Sequence, residues 1–203
     1  MFVTAVALTE PLHLDDLLRA EAHFLDAVLL PVHERNWRDV LSALNTADEN
    51  GWALRFLLWA KGKRVKNVPL HRFARHPKLL GWVVEHLDDP ALLAMLRATT
   101  QTGFTLAWQQ PSPFTYGVLS AHPRRDGKWW AWLTVNEPTQ FFSAAVNALL
   151  EGADSLCFSQ LPVGTIRVSH SSVANCQQRH CAPSTSTSQL SLRSARSGCQ
   201  RRN

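Results

Sequence analysis

The stretch with the clearest capacity for chemistry is the corner Asn136-Glu137-Pro138, which lies between a Trp-rich segment and an apolar segment with helical spacing. The start of a helix presents unpaired backbone N–H groups and a partial positive charge, and both favour an anion. At such a corner Glu137 could bind a divalent metal or orient a water molecule. It could also be a favourable charge in the first helical turn, so two roles remain open.

Three basic residues, Arg124, Arg125 and Lys128, precede this corner in the segment HPRRDGK. Together with the helix start they could hold an anion such as a nucleotide phosphate. The alternative is a solvated turn whose charges face water.

A second candidate is the 61–78 basic block, in which the aromatic residues Trp59, Phe73 and Trp82 are interleaved with positive charges. Basic residues neutralise phosphates and aromatic rings stack on bases, so this composition suits single-stranded nucleic acid. The same block would suit an acidic protein partner or an ordinary solvated loop. Its members are Lys61, Lys63, Arg64, Lys66, Arg72, Arg75 and Lys78.

Motifs of the common hydrolases and nucleotide-binding loops are absent from the sequence. There is no G-x-S-x-G, no H-E-x-x-H and no Gly-rich phosphate loop of the Walker type. The two candidates above therefore carry the functional interpretation.

The elements that would position them follow from hydrophobic spacing and turn residues. Asp89 and Pro90 predict a helix start, with Asp89 as N-cap. Asp126-Gly127 predicts a hairpin turn between two antiparallel strands. The predicted helices cover residues 12–30, 34–47, 78–87, 90–99 and 137–151, and the predicted strands cover 52–60, 103–108, 115–121 and 129–135.

Two faces of the last predicted strand and helix need a partner. Trp130 and Trp132 share one face of the strand, and packing under a helix is favoured over stacking on a ligand. The helix has an apolar stripe that predicts its core face, formed by Phe141, Phe142, Ala145, Val146, Leu149 and Leu150.

Charge is distributed unevenly along the chain. Residues 1–55 carry four Arg and nine acidic residues, whereas residues 56–84 carry seven basic residues and no acidic one. Residues 155–203 carry six Arg and no acidic residue and have few large apolar side chains, which is typical of disorder. We therefore expect an N-terminal helical segment (1–51), an α+β domain (52–152) and a mostly disordered basic tail (153–203), with a short strand conceivable at 156–168.

Neither a signal peptide nor a membrane-spanning segment is expected. The N-terminal stretch MFVTAVALTEPLHLDD has no basic region, and the sequence contains no run of 18 apolar residues. These features predict a cytoplasmic protein.

Two segments resemble the ParB/sulfiredoxin-like fold, an α+β fold with a small mixed sheet and packed helices. VPLHRFARHP (68–77) is similar to the opening of that fold, and DGKWWAWLTVNEPTQFFSAAVNALL is similar to its strand, corner and helix. Asn136 stands where the family has Gly, and Glu137 matches the family's Glu. Pro138 and Thr139 replace its basic pair, so Arg124, Arg125 or Lys128 would have to replace the phosphate contacts.

Within that fold the chain most resembles plasmid fertility-inhibition proteins of the oncogenic-suppression (Osa) type. The resemblance implies a factor that binds DNA and a nucleotide, with ATP and Mg²⁺ as cofactors, and blocks DNA transfer through a type IV secretion system. ATPase and DNase activities and a coupling protein at the inner membrane would follow. Glu137 would then be catalytic and metal-binding, Arg124, Arg125, Lys128 and Asn136 would bind the nucleotide, and the 61–78 basic block would bind DNA.

Two alternatives remain open from the sequence. The first is a non-catalytic inhibitor that docks an acidic protein through the 61–78 basic block. The second is a winged-helix DNA-binding protein with HPRRDGK as its wing, although residues 90–99 are apolar for a recognition helix.

Overall fold

Eight strands, all paired in parallel with their neighbours, close into a barrel. The computed structural model describes residues 2–23, 25–85, 88–125, 127–137 and 139–160, and of Lys63 and Arg64 it describes the backbone alone. The last strand pairs with the first, with Ala5 opposite Cys157, so the sheet has no free edge. The strands are β1 (Thr4–Ala7), β2 (Ala27–Val32), β3 (Arg55–Ala60), β4 (Leu79–Val84), β5 (Thr105–Trp108), β6 (Gly117–Ser120), β7 (Lys128–Leu133) and β8 (Ser155–Phe158).

Helices cover the outer wall unevenly. Helices follow β1, β2, β4 and β7, and two short 3-10 segments, Lys63–Asn67 and Leu70–Phe73, follow β3. Only the loops 109–116 and 121–127 lead from β5 to β6 and from β6 to β7, and their described residues contain no helix. The helices are α1 (Leu14–Ala22), α2 (Trp37–Glu49), α3 (Pro90–Thr99) and α4 (Gln140–Leu150).

Alternate residues of each strand point into the barrel and fill it. The interior cluster is separate from the cluster between strands and helices. In a closed parallel barrel such side chains form layers of four, contributed by alternate strands. At the end of the barrel where the strands finish, which we call the C-terminal edge, the layer consists of Ala7, Trp59, Trp108 and Trp132.

Two tryptophans point outward instead and belong to the cluster outside the barrel. Trp82 on β4 is fully buried, packs edge-on against Phe73 with ring centroids 6.1 Å apart, and donates its indole N–H to Thr99 Oγ1 at 2.8 Å. Trp129 on β7 is 2% exposed and donates its indole N–H to the Ser120 carbonyl at 3.1 Å. Each therefore satisfies its one polar atom within the wall.

The predicted α+β fold with a small mixed ParB-like sheet is wrong, because all strand pairs are parallel and the sheet closes on itself. The predicted helix 12–30 divides into α1 and β2, and the predicted helix 78–87 contains β4. The predicted antiparallel hairpin is also wrong, since β6 and β7 pair in parallel, with Gly117 opposite Lys128. Asp126 of its turn lies outside the described residues.

Other sequence predictions are confirmed at the level of single elements. Strands lie within the predicted ranges 52–60, 103–108 and 115–121, a helix occupies most of 34–47, and α3 occupies 90–99. Asp89 caps α3 as predicted, because its Oδ1 accepts the backbone N–H of Leu92 at 3.0 Å.

Elements of the barrel lie on both sides of the two expected boundaries, at residues 51/52 and 152/153. Residues 1–51 contribute β1, α1, β2 and α2 to the same barrel, and β8 lies within the segment assigned to the tail. The rest of that tail, 161–203, lies outside the described residues. No helix in the described part of the chain is long and apolar enough to cross a membrane.

Candidate functional site

Loops that leave the C-terminal edge carry most of the polar groups that could act together. In parallel α/β barrels, catalytic side chains come from this edge, because every strand ends there and the βα loops converge. The described polar residues that follow strands here include Glu10, His33, Lys61, Lys66, Glu85, Asp88 and Asp89.

A cleft of about 340 Å³ opens between the ends of β3 and β4 and the start of α3. That volume lies within the range of small-molecule sites, roughly 300–1,000 Å³. Its lining is apolar at Ala60, Val84 and Leu92, and polar at Lys66, Asp88 and Asp89, with Gly62 completing the wall. An apolar surface with a few convergent charges is the usual composition of a small-molecule site.

Lys66 and Asp89 form an ion pair across this cleft. Asp89 also accepts the N–H of Leu92, which fixes the carboxylate at the start of α3. The hydrogen bond from Lys66, followed by that from Leu92, holds the pKa of Asp89 below its ordinary value. Asp89 therefore stays anionic near neutral pH and holds the Lys66 ammonium in place at the cleft.

A second polar cluster joins the loops after β1 and β2. His33 Nε2 lies 2.8 Å from Glu10 Oε1, and Asn36 Nδ2 donates to the same oxygen at 2.5 Å. The other ring nitrogen, His33 Nδ1, accepts the backbone N–H of Arg35 at 3.2 Å. Because both ring nitrogens have partners, His33 fastens the two loops together and leaves neither nitrogen free for a substrate.

Three indole rings close the barrel below these loops. The Trp59 centroid lies 4.7 Å from that of Trp108 and 6.2 Å from that of Trp132, and the latter two lie 5.0 Å apart. The Lys61 ammonium lies 5.2 Å from the Trp59 ring centroid, which is a cation–π distance. Trp59 Nε1 is buried and has no hydrogen-bond partner among the described residues. The aromatic layer thus seals the barrel interior, and the cleft beside β3 and β4 is an open space at the same edge.

No group of three or more His, Cys, Asp or Glu side chains in the described part of the chain is arranged to hold a metal ion.

The residues predicted around the Glu137 corner do not form one site. Asn136 and Glu137 are exposed and follow β7, whereas Lys128 is the first residue of β7 and pairs with Asp154 at 3.1 Å. Roughly 17 Å of strand separates the two ends of β7. Neither Asn136 nor Glu137 caps α4, whose N-cap is Thr139, and Pro138 lies outside the described residues.

Arg124 and Arg125 lie in the exposed loop between β6 and β7. Arg124 donates to the Gln109 carbonyl at 2.5 Å, so it ties the loop after β6 to the loop after β5.

The 61–78 basic block runs from one edge of the barrel to the other. Lys61 and Lys66 lie at the C-terminal edge, whereas Lys78 precedes β4 and donates to the Trp52 carbonyl at 2.5 Å. Arg72 and Arg75 are exposed between them. The side chains of Lys63 and Arg64 lie outside the described residues. Among the side chains of this block that the structure describes, only Lys66 lines the cleft.

Sequence reasoning missed the acidic side of the cleft. It interpreted Asp88 and Asp89 as the start of a helix. This is correct for Asp89, which caps α3, but it overlooks that both carboxylates line the cleft. The available signal was a pair of carboxylates, Asp88 and Asp89, shortly after the apolar run 79–84, the pattern expected after a buried strand in a parallel barrel. The interpretation of 78–87 as a helix concealed it.

Comparison with known proteins establishes the fold and no more. No protein-family model and no curated protein matches the sequence. Among solved structures, the chain is similar to the HpcH/HpaI aldolase from Desulfitobacterium hafniense DCB-2, with a TM-score of 0.51 and 10% sequence identity over 90% of this chain and 94% of that chain.

This likeness overturns the assignment to the ParB/sulfiredoxin-like family and with it the Osa-type fertility-inhibition function inferred from that resemblance. The winged-helix alternative is equally wrong, because the chain is a closed barrel of parallel strands. The chain has the fold of an eight-stranded parallel α/β barrel, similar to TIM barrels.

Proposed function

We propose that this protein is a small-molecule enzyme that cleaves or forms a carbon–carbon bond by aldol chemistry in the cleft beside β3 and β4. The observation that carries the proposal is the cleft itself. It places the Lys66–Asp89 ion pair and Asp88 around an apolar floor at the edge where α/β barrels perform catalysis. The fold similarity to an aldolase makes aldol cleavage the first reaction class to test.

The charges suit a substrate that carries a carboxylate, a carbonyl group and a β-hydroxyl group. The carboxylate and the carbonyl oxygen would lie against the Lys66 ammonium, which Asp89 positions. Asp88 would accept the proton of the hydroxyl group as the carbon–carbon bond breaks. The bonding electrons would move onto the carbonyl carbon–oxygen unit, and the resulting enolate would be stabilised by Lys66.

The catalytic groups return to their starting state without any added reagent. The aldehyde formed from the hydroxyl-bearing half leaves, and the protonated Asp88 returns its proton to the enolate carbon. The products are one aldehyde and one oxo acid, and both carboxylates of the cleft end in their initial charge state.

Lys66→Met tests the proposal against a matched control. Lys128 is exposed to nearly the same degree, 53% against 55% for Lys66, and it also pairs with an aspartate, but it lies at the opposite edge. With a panel of short hydroxy-oxo acids and a coupled dehydrogenase assay for released aldehyde, we expect Lys66→Met and Asp88→Asn to lower kcat/KM at least about 100-fold. Lys128→Met should change it less than about twofold.

Binding is measured separately with oxalate, a planar dianion that resembles the enolate of an oxo acid. Calorimetry should show oxalate binding to the wild-type protein and to Lys128→Met, and at least about tenfold weaker binding to Lys66→Met. The proposal is overturned if the wild-type protein cleaves none of the panel, or if Lys66→Met and Lys128→Met behave alike in both assays.

Two cofactor predictions from the sequence, ATP and Mg²⁺, stay predictions, since nothing in this geometry bears on them. DNA and a secretion-system coupling protein, the partners expected from the sequence, form no part of this proposal.

A further inference from the structure

Helix α4 carries two apolar stripes, and only one of them faces the barrel. The inner stripe is formed by Phe141, Ala144, Ala145 and Ala148, which pack against the cluster outside the strands. This differs from the core stripe predicted from the sequence, which included Phe142, Leu149 and Leu150. In the structure these three are 80%, 44% and 81% exposed.

The outer stripe is formed by these three residues and by Val146, which is half-buried. Positions 142, 146, 149 and 150 follow the i, i+4, i+7, i+8 spacing of a helix face that packs against a partner. Phe142 alone presents on the order of 150 Å² of apolar surface. Contiguous exposed apolar surface of this kind usually marks an interaction site.

An apolar groove of about 200 Å³ lies on the outside of β1 and β8, against the inner-stripe residue Phe141 rather than against the outer stripe. The groove is lined by Val6, His23, Leu25, Phe141 and Phe158.

Charge restricts what can cover the outer stripe. Residues 140–150 contain no Asp, Glu, Lys or Arg, whereas α1, α2 and α3 each contain at least one. The charged residues closest in sequence on either side are Glu137 and Glu151, and both are acidic. Helices that lie on membranes usually carry Lys and Arg around their apolar face, so an anionic lipid surface is disfavoured.

We propose that the outer stripe of α4 is a homodimer interface, in which α4 packs against α4 of a second copy across a two-fold axis. A two-fold interface places the same patch on both subunits, so the patch must be complementary to itself. An uncharged apolar stripe meets this condition, because its copy brings neither like charges nor unpaired polar groups into contact.

The test is the mass of the full chain in solution, measured by light scattering and sedimentation velocity from about 1 to 100 µM. We expect the wild-type protein to have twice its chain mass of 22.8 kDa. Phe142→Lys and Leu150→Lys should each raise the dimer Kd at least about 30-fold. Met95→Lys on α3, also an exposed apolar residue at 53%, is the matched control and should leave the Kd unchanged.

Circular dichroism checks that each variant is folded, which is expected because the replaced side chains contact no core. A wild-type protein that is monomeric throughout this range overturns the proposal. So does a dimer that all three variants weaken equally, or a monomer that floats with neutral or anionic phospholipid vesicles.

Discussion

Trp82 on β4 and Trp129 on β7 both point outward from the barrel wall, yet they are buried by different means. Trp82 lies in the half of the barrel where helices or 3-10 segments follow β1 to β4, and both its ring contact and its hydrogen-bond acceptor come from those elements. Trp129 lies on β7 next to β6, a strand that no described helix follows, and its acceptor is the Ser120 carbonyl at the end of β6.

This difference shows how a small chain closes a parallel barrel with fewer than eight helices. A connection between parallel strands usually needs a dozen or more residues and a helix. The loops 109–116 and 121–127 are too short for that, and the outer faces of β5 and β6 are instead small residues such as Thr105, Ala107 and Val118. The indole ring of Trp129 on the next strand, β7, covers this part of the outer wall, as helices do in the other half of the barrel.

Replacing each tryptophan by Ala gives the largest expected effect. We expect Trp82→Ala and Trp129→Ala to lower the free energy of unfolding by about 3–5 kcal/mol each, since both leave a large cavity. Chemical denaturation measures the loss. Hydrogen exchange then separates the two halves: Trp129→Ala should deprotect β6, β7 and β8, and Trp82→Ala should deprotect β4 and α3. The same deprotection pattern in both variants would contradict the comparison.

A smaller effect is expected from Thr99→Val, which removes the acceptor of the Trp82 indole N–H and leaves that donor buried and unpaired. The expected loss is about 1–3 kcal/mol in the free energy of unfolding. Thr100→Val is the control, because the Thr100 hydroxyl donates to the Arg97 carbonyl at 3.1 Å and is not the acceptor of the Trp82 indole N–H. In the other half, Ser120→Ala keeps the carbonyl that accepts from Trp129, so it should cost less than Thr99→Val. The opposite order would contradict the distinction between a side-chain acceptor for Trp82 and a backbone acceptor for Trp129.

The smallest effect concerns pH and the carboxylate of Asp154, which accepts the backbone N–H of Trp129 at 2.9 Å. Burial raises the pKa of Asp154, but hydrogen bonds from Trp129 and Lys128 outweigh it, so the pKa lies below its ordinary value of 3.8. The unfolded chain therefore binds a proton more readily. The stabilisation is complete above about pH 4 and is lost as the pH falls through the lower folded-state pKa.

Asp154→Asn should consequently lower the denaturation midpoint at pH 7 and have little effect near pH 2. Asp89→Asn is the corresponding change in the other half, where the pKa of the carboxyl is also lowered. A loss in Asp154→Asn that is equal at both pH values would mean that charge plays no part.

How far the sequence predicts this fold depends on whether a segment has one buried face or two. Helices α2 and α3 were predictable because polar residues mark their outer sides, and Asp89-Pro90 marks the start of α3. Strands β2 and β4 are buried on both faces, so AVLLPV and LLGWVV show no alternation. Such apolar runs cannot be distinguished from helix by spacing alone.

Local sequence does not predict whether neighbouring strands pair in parallel or antiparallel. Asp126-Gly127 is a strong hairpin signal, but the parallel pairing of β6 and β7 depends on closure of a sheet whose first and last strands are β1 and β8. The candidate site could not be predicted from local sequence for the same reason. Lys66 belonged to the basic block, whereas its partner Asp89 lies 23 positions further on and joins it only because β4 returns the chain to the same edge.

Cys157 on β8 gives the closed barrel a built-in reporter. Its side chain is fully buried in the interior cluster, and burial raises the pKa of the thiol far above its ordinary value, so no thiolate is available while the barrel is closed. Since β8 joins β7 to β1, any opening of the seam must expose this sulfur. When the other three cysteines, Cys176, Cys181 and Cys199, are replaced by Ser, thiol labelling reports on Cys157 alone. The labelling rate then equals the rate of seam opening if labelling is faster than closing, and it is proportional to the open fraction if closing is faster.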